Sequence, residues 1–134
     1  MVKINPFFLS KIAIDSADDV LEVGCGAGAF SKQIKLFKSI SGVDYSADAI
    51  ASIRKNIPNG KFHHSEANLL PFSDNTFDKI VCFGVFFYFC SYDYASQSLQ
   101  EMLRVLRPGG AILIGEGSDI NKKILLVNLD YSAG

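Results

Sequence analysis

The chain has 134 residues, 49% of them hydrophobic and 20% charged, with 13 basic and 14 acidic side chains and a formal net charge of −1. That is one domain's worth of chain with enough apolar residues for a buried core, which excludes a disordered polymer, and the balanced charge gives no electrostatic case for a nucleic-acid partner. The three cysteines, Cys25, Cys82 and Cys90, show neither C-x-x-C spacing nor an even count, so a reduced, cytoplasmic setting is expected and neither a disulfide framework nor a zinc site.

In chain order, Lys3, Asn5, Pro6 and Lys11 interrupt the first apolar stretch, so no export signal is expected. Asp19 to Gly24 then reads as a strand that runs into Gly24-Cys25-Gly26-Ala27-Gly28. Glycines let backbone approach a ligand closely. Phe30, Ile34 and Phe37 follow at helical spacing and predict a helix over 28–38, with Lys32, Lys35 and Lys38 on its solvated side. In an open α/β sheet, the carboxyl end of such a first strand is where nucleotide-like ligands bind. Gly24, Gly26 and Ala29 also satisfy the dinucleotide fingerprint, so the glycines alone leave a nicotinamide cofactor open. Glu22 argues the other way, since an acid at this place suits a cationic amino group and repels a pyrophosphate.

A second strand over 39–44 ends in Asp44, twenty residues after Gly24, a spacing that suits an acid accepting hydrogen bonds from ribose hydroxyls. A helix over 47–56 and a third strand over 61–66 follow. His63 and His64 are strand neighbours that point to opposite faces, so a shared metal ion is not expected. Ile80 to Cys90 is uncharged but is only eleven residues long, short of the roughly 20 that a spanning helix needs. It reads as a fourth strand over 78–83 followed by a segment carrying Phe86, Phe87 and Tyr88. Leu99, Met102, Leu103 and Leu106 mark the buried face of a helix over 93–106, with Gln97, Gln100, Glu101 and Arg104 opposite. Arg107-Pro108-Gly109-Gly110 stops that helix and turns the chain into a fifth strand over 111–115. Strands separated by helices predict a Rossmann-like, doubly wound, mostly parallel α/β sheet with helices on both faces.

Four segments in order resemble the class I S-adenosylmethionine-dependent methyltransferases. They are Glu22 to Gly28, Asp44, the stretch Ser65-Glu66-Ala67 through Leu70-Pro71-Phe72 to Phe77-Asp78, and Leu103 to Gly110. The resemblance implies S-adenosylmethionine as cofactor, with S-adenosylhomocysteine as product. It implies cofactor contacts from Glu22, Gly24, Cys25, Gly26, Gly28, Asp44, Tyr45, Glu66, Ala67 and Phe83. Glu66 would lie beside the adenine amino group, with the backbone of Ala67 meeting the ring. Phe87 stands where the family commonly has a histidine, so no histidine base is expected there and no catalytic residue is named; Tyr88 is the polar candidate to touch the acceptor. The Asn/Asp-Pro-Pro-Tyr/Phe motif of enzymes that methylate DNA bases or glutamine amides does not occur between Ile80 and Cys90. A small-molecule acceptor of the quinone-biosynthesis type is the expectation.

The end of the chain departs from the family, which continues for two more strands after the fifth. Here a single domain over 1–134 lacks that full pair. Ile124 to Leu129 can supply one strand. Residues 122–129 are expected either to fold back antiparallel over the fifth strand, or to leave that edge to a second copy or a partner chain. Two other functions stay open: an inactive cofactor-binding module or partner subunit of such an enzyme, and a nicotinamide-dependent oxidoreductase.

Overall fold

The computed structural model describes residues 12–26, 28, 31–83, 91–115 and 124–128. Short apolar runs rich in Val and Ile form six strands: β1 (Asp19–Val23), β2 (Ser39–Asp44), β3 (Lys61–His64), β4 (Phe77–Phe83), β5 (Leu106–Gly115) and β6 (Ile124–Asn128). Two helices join them, α1 (Ala47–Asn56) and α2 (Tyr92–Val105). Each starts with a serine whose hydroxyl accepts a backbone N–H of the first turn, Ser46 from Ala49 and Ser91 from Tyr94. The strand order is β3-β2-β1-β4-β5-β6, parallel throughout except for β6, which runs antiparallel to β5. The doubly wound α/β reading holds.

Period-two alternation divides the core. Leu21, Val23, Val43, Ile80, Cys82, Ile112 and Ile114 lie on one face, packed with Met102 and Val105 of α2. Val20, Ile40, Val81 and Leu113 lie on the other with Ile12 and Ile34. There Ile50 and Ile53 of α1 close on Phe62 and Cys25. A parallel sheet covered on both faces explains why β1 and β4 read as apolar runs. Each fully buried Leu or Ile is worth about 1.5–3 kcal/mol, so these central strands fix the frame from which the loops at their carboxyl ends project.

Two expectations change and a third is met. The helix over 28–38 is not formed among the described residues: a single 3-10 turn occupies Ser31–Gln33, closed by Ile34 N–H on Ser31 O. The chain must travel back along β1 to reach the start of β2. A helix advances only about 1.5 Å per residue against about 3.3 Å for extended chain, so residues 34–37 open out. Lys38 and Ser39 N–H then dock on Asp18 O. Ile34 is buried and Lys32, Lys35 and Lys38 are exposed, as their spacing implies.

The corner at Arg107-Pro108-Gly109-Gly110 is part of β5, which begins at Leu106. Phe77 pairs with Leu106 and Lys79 with Ala111, so residues 107–110 bulge opposite Asp78. The bulge carries chemistry of its own: the Arg107 guanidinium donates to Asp19 and Asp78, both at 2.9 Å, joining the starts of β1, β4 and β5. Against the cost of burial, the Ser39 hydroxyl and Arg107 hold the Asp19 carboxyl below its ordinary range. Finally, β6 takes the first of its two expected arrangements, pairing Ala111–Gly115 with Asn128–Ile124. No strand lies on its outer side among the described residues.

Candidate cofactor site

The glycine loop is spliced onto the end of β2. Gly24 and Cys25 N–H both donate to Val43 O, at 2.8 and 3.0 Å, and Gly28 N–H returns to Cys25 O at 2.9 Å. Gly24, Gly26 and Gly28 have φ of 78°, 52° and 91°, the left-handed region that glycine enters without strain. A Cβ placed on Gly26 would meet nothing within 4 Å, so this glycine leaves open space. Gly42 acts differently: a Cβ there would lie 2.9 Å from the Phe62 ring and 3.0 Å from Cys25 Cβ. The bare backbone of β2 is what allows the loop to settle so low.

Asp44 ends β2 and secures the loop from below. Its Oδ2 accepts the Gly26 N–H and its Oδ1 the Ser46 N–H, each at 2.9 Å. An ionised carboxylate has about four acceptor sites, so one further bond per oxygen remains available. Glu22 lies on the same sheet face, only 4% exposed, with Oε1 accepting from the Ser31 hydroxyl at 2.6 Å. Burial, reinforced by the Asp44 charge and opposed by Ser31, pushes Glu22 up to about 8. Burial and these two carboxylates push the Cys25 thiol up to about 12, so it packs and does not act as a nucleophile.

Beyond β3, Glu66 and Ala67 meet a residue that sequence patterning did not single out. The Tyr94 hydroxyl donates to Glu66 Oε2 at 2.5 Å and accepts the Ala67 N–H at 3.2 Å. Burial and the Glu66 carboxylate push that phenol up to about 12, so it stays a donor. Gly24, Asp44, Tyr45, Ser65, Ala67 and Tyr94 line one recess of about 30 Å³. Tyr45 itself is exposed, and its carbonyl accepts from His64 Nε2 at 2.9 Å; His63 instead stacks edge-on against Phe72. Phe83 ends β4, while Tyr88, Phe86 and Phe87 lie outside the described residues.

The loop between β3 and β4 has no regular structure and is held by α2. Tyr94, Gln97, Glu101 and Arg104 follow one another at helical spacing. They bond in order to Ala67, the Asn68 side chain, Leu70 N–H, and the Leu70 and Phe72 carbonyls. Arg104 also pairs with Glu101 and Asp74. The sequence places Gln97, Glu101 and Arg104 opposite the buried face and assigns them no partner. Their role follows from the loop, whose backbone donors and acceptors need partners somewhere.

A larger cavity, about 330 Å³, lies among Ser39, Lys61, Phe77 and Arg107 near the amino ends of the strands. That is the opposite end from the one where open α/β sheets bind ligands. Among the described residues no group of three His, Cys, Asp or Glu side chains is placed to hold a metal, and no helix is long and apolar enough to cross a membrane.

A methyltransferase-domain family model matches residues 21–114, which takes in all but the start of β1, the glycine loop, Asp44, Glu66 and all but the end of β5. The chain belongs to that methyltransferase family. Among its relatives, the ubiquinone/menaquinone biosynthesis C-methyltransferase UbiE of Hahella chejuensis is 33% identical over 122 residues, covering 84% of this chain and 48% of that protein. The PH0226 protein of Pyrococcus horikoshii superposes with a TM-score of 0.72 at 27% identity, covering 83% of this chain and 53% of that one. The fold also matches phosphoethanolamine N-methyltransferase 1 of Haemonchus contortus, solved with phosphoethanolamine and S-adenosylhomocysteine, at a TM-score of 0.73 and 20% identity, covering 81% and 24% of the two chains. This methyltransferase chain spans about half the length of the curated relatives it matches. The family match turns the ambiguous glycine pattern away from a nicotinamide enzyme.

The residues present fit a cofactor that carries a ribose and a cationic amino group. Gly26 leaves a cradle that a Cβ would enter, Asp44 has spare acceptor sites beside it, and the buried Glu22 carboxyl supplies negative charge once ionised.

Proposed function

We propose that this chain binds S-adenosylmethionine at the carboxyl ends of β1, β2 and β3 and serves methyl transfer to a small-molecule acceptor. The observation that carries the reading is the convergence of Gly26, Asp44 and Glu22 at one loop, with Glu66 and Ala67 at the next strand end, in a chain of the methyltransferase family. Asp44 would accept ribose hydroxyls, Glu22 would face the amino group of the methionine part, and Glu66 would accept the adenine amino group. When bound, the cofactor would supply an electrophilic methyl on a sulfonium to a nucleophilic atom of the acceptor, with the sulfur keeping the electron pair of the carbon–sulfur bond and S-adenosylhomocysteine as the product. The chain's own part is to position and to exclude water, which by itself lowers a barrier substantially. Similarity to the ubiquinone/menaquinone enzyme supports a planar organic acceptor.

A second reading keeps the cofactor site without independent catalysis. It is favoured by the half-length match and by the outer side of β6, which no strand covers among the described residues and which we propose takes a strand from a second copy or a partner chain. Thermal unfolding with each cofactor tests the common core: a ligand at one hundred times its Kd stabilises by about 2.7 kcal/mol. S-adenosylmethionine should raise the midpoint and a nicotinamide dinucleotide should not. Methyl transfer from labelled cofactor to a panel of small molecules, by the chain alone, then separates enzyme from module.

A further inference from the structure

The geometry at Tyr94 goes one step past the cofactor reading, on which it rests. Tyr94 stands in the first turn of α2, its own N–H tied to Ser91 Oγ and its carbonyl to the Ser98 hydroxyl. From there one phenol bridges two consecutive loop residues, donating to Glu66 Oε2 and accepting from Ala67 N–H, while lining the same recess as Asp44 and Gly24. Glu66 is exposed, and a free carboxylate there would sample several rotamers. With Oε2 engaged, Oε1 is left to accept from a ligand.

We propose that Tyr94 is a positioning residue that holds the Glu66 carboxylate in one orientation and so sets the preference of the site for a 6-amino purine over a 6-oxo purine. An ionised carboxylate only accepts hydrogen bonds. Fixed opposite the six position, it is matched by an exocyclic amino group and repelled by a carbonyl oxygen. A carboxylate free to turn finds the ring N–H of a 6-oxo purine instead and discriminates less. Specificity gained this way is a difference of affinities and comes largely from the penalty on the wrong ligand. The tyrosine suits the task because it stays protonated across the working range of pH.

The test is titration calorimetry with S-adenosylhomocysteine and S-inosylhomocysteine on the wild type, Tyr94→Phe, Glu66→Gln and the double variant. The wild type should prefer the adenosyl ligand by about tenfold or more, the scale of one charged hydrogen bond. Tyr94→Phe should lose most of that preference while keeping the native fold by circular dichroism, with the midpoint lowered by the loss of the acceptor for Ala67 N–H. In the Glu66→Gln background, Tyr94→Phe should change nothing further, because the orientation it controls no longer matters. An undiminished preference in Tyr94→Phe overturns the inference, and so does an equal loss for both ligands, which is the mark of a brace for the loop alone. A wild type that binds neither nucleoside overturns the cofactor reading together with this one; a wild type that binds, with preference intact in Tyr94→Phe, overturns only the role of Tyr94.

Discussion

Replacing Glu22 by glutamine should make the chain's stability nearly independent of pH between 4.5 and 8. The carboxyl is held up to about 8 by burial and by Asp44, against an ordinary 4.5. Over that interval the folded chain keeps a proton that the unfolded chain has lost. Stability from this group is therefore complete below about 4.5, falls as the pH rises, and is gone above about 8. The slope is at most about 1.4 kcal/mol per pH unit. Over the 3.5 units that separate 4.5 from 8, the ceiling is about 5 kcal/mol, a large part of the 5–15 kcal/mol that holds a typical domain together. Glutamine keeps an oxygen for the Ser31 hydroxyl and does not titrate. The carboxyls held low, Asp19 by Ser39 and Arg107 against its burial and Glu101 chiefly by Arg104, lose their contribution only as the pH falls through the acid range, so they do not mask the effect. Urea unfolding followed by circular dichroism at pH 5, 6, 7, 8 and 9 is the assay. The wild-type midpoint should drop steadily while that of Glu22→Gln stays level, with the variant the more stable above pH 8. Parallel curves for the two proteins would refute the reasoning and show the carboxyl ionised throughout.

Other outcomes follow from the same loop and edge. Asp44→Ala removes the acceptor of the Gly26 and Ser46 N–H groups and should weaken S-adenosylmethionine binding at least about tenfold by calorimetry; unchanged affinity in a folded variant would remove this acid from the site. Gly26→Val forces a β-branched residue to φ +52° beneath open space and should abolish binding, so a normal titration curve would move the site elsewhere. Deleting residues 117–134 strips β6 from β5 and should produce aggregation or a larger oligomer by light scattering; a deletion variant that stays monomeric and equally stable would show that β6 protects nothing.

The strands were legible because a parallel sheet buried on both faces writes itself as apolar runs, and Glu22, Asp44 and the glycines because their spacing is local. What escaped is what depends on partners distant in the chain. The polar face of α2 looks like any solvated helix face until the loop after β3 is laid along it, 27 to 34 residues away. Ser31 carries no signal until it is seen beneath Glu22. The helix expected after the glycine loop and not formed among the described residues is a misreading of period: Ile34 and Phe37 do face the core, but the return distance to β2, and not local preference, decides the backbone. The Arg107 corner looked like a plain stop because its ion pairs join residues 29 and 88 positions apart.

The rungs between α2 and the loop after β3 also set the order in which the site matures during synthesis. The loop contributes Glu66 and Ala67, and the rungs that hold it come from side chains of Tyr94 to Arg104 and from the Arg104 and Val105 carbonyls, which accept from Asn75 and Thr76 N–H. A nascent chain that has emerged only through β4 holds the glycine loop, Glu22 and Asp44. It still lacks the groups that shape the adenine side. That side condenses only when α2 docks, and in the finished protein loop and helix should open together, as one cooperative unit in hydrogen exchange.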